Sequence, residues 1–112
     1  MDYSGSDFYC DIAIPGKIEL QKEYESENVL AFHHTKPFWQ VHIVVVPKKH
    51  IPSLTALSKE DEPILLELLE VLKKLAANVE KGTGAARIVT NLGDYQDSKH
   101  LHFHVSSGKK IN

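Results

Sequence analysis

Three histidines alternate with apolar residues in the segment 100–105, which reads HLHFHV. Because successive side chains of a strand point to opposite faces, a strand here would place His100, His102 and His104 on one face and the apolar residues on the other. Imidazole titrates closer to neutrality than other side chains, so it can carry protons, attack electrophiles or bind metal. We therefore predict that this histidine face is the active site.

Three interpretations of this face compete. A solvated, pH-sensitive face is the weakest, because the spacer residues are strand formers suited to burial. A zinc site is the second, since two histidines at positions i and i+2 of a strand can bind one ion, and His42 could add a further ligand. Nucleophilic catalysis by one imidazole, with its neighbours positioning it and moving protons, is the third. Spacing alone leaves the metal and the nucleophile nearly level.

The elements that would position these histidines form an α+β pattern. The segment 58–81 predicts a long helix, with a capping box between Ser58 and Asp61, leucines at helical spacing and Gly82 as its end. A short helical turn is predicted at 8–14, and strands are predicted at 29–32, 40–46, 86–91 and 100–106. We expect an antiparallel sheet of about five strands with one long helix on a face.

The segments around the histidines resemble a known superfamily. A strand carrying His42 ends in VPKKH at 46–50, the segment 88–93 reads IVTNLG, and Gln96 precedes the three histidines. Their order and spacing resemble the histidine triad (HIT) superfamily, whose signature is His-φ-His-φ-His-φ-φ with φ apolar. Within it, the chain is most similar to the Hint branch of nucleoside phosphoramidate hydrolases. The resemblance spans residues 8–108 and favours the nucleophile over the metal.

The resemblance implies a role for each of four histidines. His102 would attack the α-phosphorus of a nucleotide and form a covalent nucleotidyl-histidine. His104 would donate to the non-bridging phosphate oxygens, the main-chain carbonyl of His100 would hold the far nitrogen of His102, and His42 would help to manage protons. A neutral imidazole suits an anionic phosphorus centre, and a second imidazole can supply positive charge in place of magnesium. We therefore expect no cofactor and no catalytic metal.

The resemblance also assigns the substrate contacts. The implied ligand is a purine nucleotide such as AMP or GMP. Asn91 is similar to the asparagine that the family places near the phosphate and ribose. The apolar slot for the base would be formed by Phe8, Tyr9, Ile12, Phe32 and Val44.

Three positions depart from the family pattern. Ser106 stands where the signature has its last apolar residue. Asp97, next to Gln96 in the loop before the triad, stands where the Hint branch has a serine that assists the leaving group. It could serve as an acid for the leaving group or discourage anionic ones. His34 stands where the family has an acidic ligand of the ribose. We assign Gln96, Asp97 and His34 to substrate binding.

The single cysteine bears on metal binding. Many bacterial members of the family carry a Cys-x-x-Cys pair that serves a structural zinc, and here the two positions are Asp7 and Cys10. One cysteine cannot form a disulfide within the chain or the cysteine pair of such a site. We expect Cys10 to be a partly buried, apolar residue rather than a reactive thiol.

Composition limits the partners. A net charge of −2 over 112 residues argues against nucleic acid as the main partner, and no apolar run is long enough for a membrane span. The N-terminus is polar and acidic, without the features of a signal peptide, so we expect a cytoplasmic protein. We expect a flexible segment at 1–7 and one domain at 8–112. The resemblance implies a homodimer that extends the sheet, although the hydrophobic pattern also suits a monomer.

Two functions follow from the sequence. The first is a phosphoramidase-like nucleotide hydrolase that acts through a covalent intermediate at His102. The second is a purine-nucleotide-binding protein with little catalysis, which the residues at Asp97 and His34 make possible. A divalent metal bound by the four histidines is a weaker third alternative.

Overall fold

The computed structural model of the chain describes residues 7–111. Residues 1–6, which make up most of the predicted flexible segment, and Asn112 lie outside the described residues. Asp7, at the boundary of that segment, is buried. The described part contains a five-stranded antiparallel sheet and one long helix, which confirms the predicted α+β fold.

The sheet has the strand order β1-β2-β3-β5-β4, and every neighbouring pair is antiparallel. The central strand β3 is rich in β-branched residues, which suit a strand covered on both faces. The first strand was not predicted, because its sequence KEYE is charged and largely exposed. The strands are β1 (Lys22–Glu25), β2 (Val29–His33), β3 (Trp39–Pro47), β4 (Arg87–Thr90) and β5 (Phe103–Lys110).

The helix α1 spans Glu62–Thr83 and follows a short 3₁₀ turn. The predicted capping box is confirmed, because Asp61 Oδ2 accepts the backbone N–H of Ser58 at 3.1 Å and the Ser58 side chain accepts the backbone N–H of Asp61. The predicted end at Gly82 is wrong, since the helix continues through it. Gly84 ends the helix in the left-handed conformation, with φ +90°, and its N–H bonds to Glu80 O at 2.7 Å.

The two faces of the sheet have different covers. The apolar face of α1, including Leu68 and Leu72, packs on one face in a core that also contains Val45. On the opposite face, the N-terminal turn Tyr9–Ala13 packs on side chains of β2 and β3, including Val44. Because strand side chains alternate, neighbouring residues of β3 serve the two layers. The helix side is a core, and the N-terminal side holds the histidines.

The last strand differs from its predicted span. It begins at Phe103 rather than at residue 100, because the preceding backbone groups bond outside the strand ladder. Leu101 N–H bonds to Ile51 O at 2.6 Å, and Thr90 Oγ1 donates to His102 O at 2.8 Å. The predicted alternation nevertheless holds through this segment, since Leu101, Phe103 and Val105 all enter the helix-side core.

No helix within residues 7–111 is long and apolar enough to cross a membrane.

Candidate active site

His102 is held in one orientation and one tautomer. Its Nδ1 lies 2.7 Å from the main-chain carbonyl oxygen of His100. A carbonyl oxygen only accepts, so Nδ1 carries the proton and Nε2 is the nitrogen with the free lone pair. His102 is buried, and its carbonyl oxygen accepts a hydrogen bond from the Thr90 hydroxyl. The ring therefore has the form that a nitrogen nucleophile requires.

A chain of hydrogen bonds fixes His42 and His104. The backbone N–H of Phe38 donates to His42 Nδ1 at 3.1 Å, so the proton of neutral His42 is on Nε2. His42 Nε2 lies 2.8 Å from His104 Nδ1 and donates to it. The proton of neutral His104 is therefore on its Nε2. One backbone amide thus sets the orientation of two imidazoles and leaves His104 as an N–H donor.

His34 joins this group from the connection between β2 and β3. The backbone N–H of Lys36 donates to His34 Nδ1 at 2.9 Å, which places the proton of the neutral ring on Nε2. The His34 ring lies 4.4 Å from the His42 ring, centroid to centroid, and 6.1 Å from that of His104. Four histidines therefore lie side by side, and none of them is hydrogen-bonded to a carboxylate among the contacts described.

Burial keeps the four rings neutral. Desolvation, together with the neighbouring histidines, lowers the pKa values of His34, His42 and His104 to about 4. The pKa of His102 is also lowered by burial, although the hydrogen bond to His100 O acts in the opposite direction. At neutral pH the site therefore offers lone pairs and N–H donors rather than imidazolium cations.

A cavity of about 360 Å³ opens beside these histidines. Its apolar wall is partly aromatic, with the Tyr9 ring 4.9 Å from the His102 ring and 6.2 Å from the Phe32 ring. This volume and lining suit a small organic ligand. Eight of the residues predicted for the site line the cavity: Phe8, Tyr9, Phe32, His34, Val44, Asp97, His102 and His104.

A second cavity of about 240 Å³ adjoins the first and shares Phe38, Asp97 and His104 with it. His42 and Asn91, both predicted for the site, line this second cavity. Its outer side is formed by Trp39 and Arg87, whose guanidinium carbon lies 4.2 Å from the centroid of the Trp39 ring. His104 therefore borders both cavities.

Three predicted residues lie outside both cavity linings. Ile12 is a buried residue of the N-terminal turn itself. Gln96 turns away, because its Nε2 donates to Pro52 O at 2.8 Å. His100 is fully buried behind His102 and offers only its carbonyl oxygen to the nucleophile.

Several lining residues escaped the sequence reasoning. Thr35, Lys36 and Phe38 come from the connection between β2 and β3, and Ser98 comes from the loop before the triad. These loops have no regular spacing of apolar residues from which their conformation could be predicted. The Lys36-Pro37 turn was visible, but nothing in it signals that two backbone amides orient histidines.

A second cluster lies on the other side of the triad. It consists of Asp7, Cys10, His50 and His100, whose ligand-type atoms lie within 4.8 Å of one another. His100 Nε2 donates to Pro47 O at 2.7 Å, so its Nδ1 faces Cys10 Sγ and Asp7 Oδ2, each at 3.2 Å. Cys10 is partly buried, as expected, but its sulfur contacts two imidazoles rather than only apolar atoms.

Electrostatics in this second cluster centre on Asp7. Desolvation raises its pKa, but the Cys10 backbone N–H and the His100 ring outweigh that effect and hold the pKa below the usual 3.8. Burial raises the pKa of the Cys10 thiol to about 12, and the Asp7 carboxylate contributes to the shift. Without a metal, the cluster therefore combines a carboxylate with a protonated thiol.

The two groups of histidines differ in how well they fit a metal ion. One thiol, two imidazoles and one carboxylate are ligands that zinc accepts, and the Nδ1 atoms of both imidazoles face the thiol and the carboxylate rather than each other. His34, His42 and His104 are also close enough to share an ion. In that group both nitrogens of His42 are already hydrogen-bonded, so an ion would have to break the bond between His42 and His104.

Comparisons with known proteins place the chain among relatives. Residues 6–111 match a family model described as "Scavenger mRNA decapping enzyme C-term binding". An uncharacterized HIT-like protein of Buchnera aphidicola is 33% identical over 101 residues, which cover 88% of this chain and 90% of the relative. A HIT-like protein of Chlamydia trachomatis is 32% identical over 96 residues, covering 85% of this chain and 86% of its own length.

Solved structures share the fold. A histidine triad protein from Clostridium difficile is 35% identical, with a TM-score of 0.78, over 99% of this chain and 97% of that one. A HIT family hydrolase from Legionella pneumophila is 29% identical, with a TM-score of 0.80, over 95% of this chain and 96% of the other. The similarity thus covers nearly the whole chain in both sequence and structure.

Proposed function

The chain belongs to the histidine triad (HIT) family, and from that premise we propose that it is a nucleotide hydrolase that cleaves at the α-phosphorus of purine nucleoside phosphoramidates or related nucleotides. One observation carries the proposal. The hydrogen bond from His102 Nδ1–H to His100 O leaves Nε2 as the lone-pair nitrogen of a ring that lines the larger cavity. The lowered pKa of His102 keeps that nitrogen available at neutral pH.

The proposed reaction has two steps. In the first, His102 Nε2 attacks phosphorus, and the phosphorus–nitrogen bond of the substrate breaks with its electron pair on the leaving nitrogen. That nitrogen takes a proton from a solvent water, which leaves hydroxide. In the second step another water attacks phosphorus, the bond to His102 breaks back to Nε2, and the attacking water loses a proton that neutralises the hydroxide. The products are a nucleoside monophosphate and an amine.

His104 is the proposed donor to the phosphate. Its tautomer, set through His42 by the Phe38 amide, gives it an Nε2–H that can bond a non-bridging oxygen. The charge on such an oxygen grows as the nucleophile approaches. A donor that is already oriented stabilises that charge without a reorganisation cost.

The larger cavity suits a nucleoside. Tyr9, Phe32 and Val44 give it an apolar side for a purine base. His34 Nε2–H would face the ribose as a hydrogen-bond donor, where a carboxylate would act as an acceptor. Asn91, on the second cavity, would contact the phosphate from the other side.

We propose no metal in the catalytic step and a structural role for any metal in the second cluster. Asp7, Cys10, His50 and His100 would be the ligands of a zinc ion of the kind implied by the family. A bound zinc would cross-link the N-terminal turn, the end of β3 and the triad segment. The chain itself already holds His100 through Pro47 O, so the carbonyl that orients His102 is fixed by hydrogen bonding.

We also propose a homodimer, in the cytoplasm. The edge strand β4 exposes Ile88 and Val89, and α1 exposes Leu66 and Leu69, at 39–64% of their surface. A short edge strand with exposed apolar side chains is suited to pairing with a second copy. Light scattering of the wild type and of Ile88→Glu tests this, with a dimer expected only for the wild type. The single free cysteine suits a reducing compartment.

A nucleotide-binding protein with little catalysis is the alternative. Its support is the pair of residues that depart from the family pattern, Asp97 and His34, both of which line the larger cavity. They would alter the leaving-group side and the ribose side of the site without closing it.

Hydrolysis of an adenosine 5′-phosphoramidate with a fluorogenic amine tests the function. The wild type should turn the substrate over without added metal, and His102→Ala should lose at least about 1000-fold in rate, as nucleophile removal does in other enzymes. AMP binding by the variant, measured by calorimetry, serves as the folding control. A wild type that binds AMP but has no activity would favour the alternative.

A further inference from the structure

We propose that Asp97 selects substrates by the charge of the leaving group, favouring amines that leave as cations and disfavouring anionic oligophosphates. The inference rests on the proposed hydrolase function and assigns its substrate class. It also decides between the two roles that the sequence left open for Asp97.

The position of Asp97 carries the argument. Among the described residues that line the two cavities, it is the one with a carboxylate, and it lines both. His104, the proposed phosphate donor, is also shared by the two cavities, whereas His102 lines only the larger one. We take the second cavity, which Asp97 borders, as the side to which in-line attack from His102 would send the leaving group.

The loop around Asp97 is pinned on both sides. The Gln96 side chain donates to Pro52 O at 2.8 Å, and the Ser98 hydroxyl accepts the Phe8 backbone N–H at 3.2 Å. Lys99 Nζ closes the loop by donating to Gly93 O at 2.7 Å. Asp97 lies between these anchors, so its place in the loop at the boundary of the two cavities is set by its neighbours.

The Asp97 carboxylate is near enough to act electrostatically on the histidines of the site. Its negative charge opposes the lowering of the pKa values of His34, His102 and His104. The same charge would act on the leaving group. An alkylamine becomes an ammonium ion at neutral pH, which a carboxylate stabilises, whereas an oligophosphate gains negative charge as its bond breaks.

The positively charged side chains of the two cavities would not produce the same preference for leaving groups. Lys36 lines only the larger cavity, and Arg87 lines only the second one, where it stacks on Trp39. Arg87 would attract the outer part of an anionic leaving group, so its effect opposes that of Asp97. A test must therefore compare leaving groups on one and the same variant.

The test compares three substrates on the wild type and on Asp97→Asn. They are the adenosine phosphoramidate of an arylamine, which leaves as a neutral amine, that of an alkylamine with a second ammonium group, and diadenosine tetraphosphate. We expect Asp97→Asn to lower kcat/KM about fivefold for the cationic amine and to raise it about fivefold for the oligophosphate, as a partly solvated charge would. Both changes should shrink at high salt. Asp94→Asn, an exposed neighbour outside both cavities, is the matched control and should change neither.

The outcomes separate this inference from the proposed function. Equal loss on all three substrates would overturn it and indicate a proton donor or a structural role for Asp97. An unchanged ratio between the cationic amine and the oligophosphate would also overturn it, while leaving the hydrolase function intact. A wild type inactive on the neutral amine would instead refute the hydrolase function, and with it the inference.

Discussion

Two histidine-rich clusters flank the triad segment, and they differ in the partners that their imidazoles meet. The site cluster, formed by His34, His42, His102 and His104, is held by backbone amides, a carbonyl and other imidazoles. The support cluster, formed by Asp7, Cys10, His50 and His100, contains a carboxylate in contact with both of its imidazoles.

The difference shows how one residue type can serve opposite purposes. Without a hydrogen-bonded carboxylate, the buried rings of the site cluster stay neutral and keep defined N–H and lone-pair positions. In the support cluster, the carboxylate and the thiol contact imidazoles from distant parts of the chain and could serve with them as metal ligands. His100 and His102 connect the clusters. The ring of His100 is anchored in the support cluster, and the carbonyl oxygen of His100 accepts the hydrogen bond that orients His102.

Breaking the hydrogen-bond chain of the site cluster should have the largest effect. His42→Ala removes the donor that fixes the His104 tautomer, so we expect kcat to fall about 100-fold with a smaller change in KM. Steady-state kinetics with the fluorogenic phosphoramidate measure this. His33→Ala, on the neighbouring strand and paired with Glu23 instead, is the control and should retain its rate. A normal kcat in His42→Ala would show that His104 needs no such orientation.

Breaking the support cluster should reduce stability more than it changes the chemistry. Asp7→Ala removes the acceptor of the Cys10 N–H and the partner of two imidazoles, so we expect a loss of about 2 kcal/mol in the free energy of unfolding. Added zinc should raise the melting temperature of the wild type but not of Asp7→Ala or Cys10→Ser. Glu70→Ala, an exposed helical carboxylate, controls for loss of charge.

Two results would contradict this account of the support cluster. An unchanged unfolding free energy in Asp7→Ala would show that these contacts add nothing to the fold. An equal zinc shift in all the variants would place the metal elsewhere. Cobalt(II) absorption, which is sensitive to thiolate ligation, gives an independent readout through Cys10.

The pH dependence of stability should report on the site cluster without any substitution. Unfolded histidines take up protons near pH 6.5, but His34, His42 and His104 resist protonation until about pH 4. Between these values the unfolded chain binds more protons, so stability falls on acidification. A single group shifted in this way contributes about 2 kcal/mol over the range, so we expect stability to fall by at least about 2 kcal/mol from pH 7 to pH 4.5, measured by urea unfolding, with a shallower slope for His34→Gln. A flat profile would contradict the neutral site cluster.

The parts of the molecule with a regular hydrophobic repeat or a recognisable capping motif were predicted from the sequence. The alternation at 100–105 separates histidines from core residues as expected, and the capping box at Ser58 is present. The end of the helix was misplaced because Gly82 is tolerated within it, and only Gly84 adopts the left-handed conformation. Propensity alone does not distinguish two glycines so close together.

The contacts between distant loops could not be predicted. Cys10 was considered only with its sequence neighbour Asp7, whereas the fold adds His50 and His100 from 40 and 90 residues away. Similarly, the amides of Lys36 and Phe38 orient two histidines through a turn whose path depends on tertiary packing. The roles assigned to the site residues stay predictions, although most of those residues line one of two adjoining cavities.

The most direct test of the account is to detect the covalent intermediate. The wild type is mixed with an adenosine 5′-phosphoramidate, quenched during turnover at a pH that preserves phosphorus–nitrogen bonds, digested and analysed by mass spectrometry. We predict a nucleoside monophosphate attached to His102, absent from His102→Ala. Turnover without any adduct, or an adduct at another histidine, would contradict the assignment of His102 as the nucleophile.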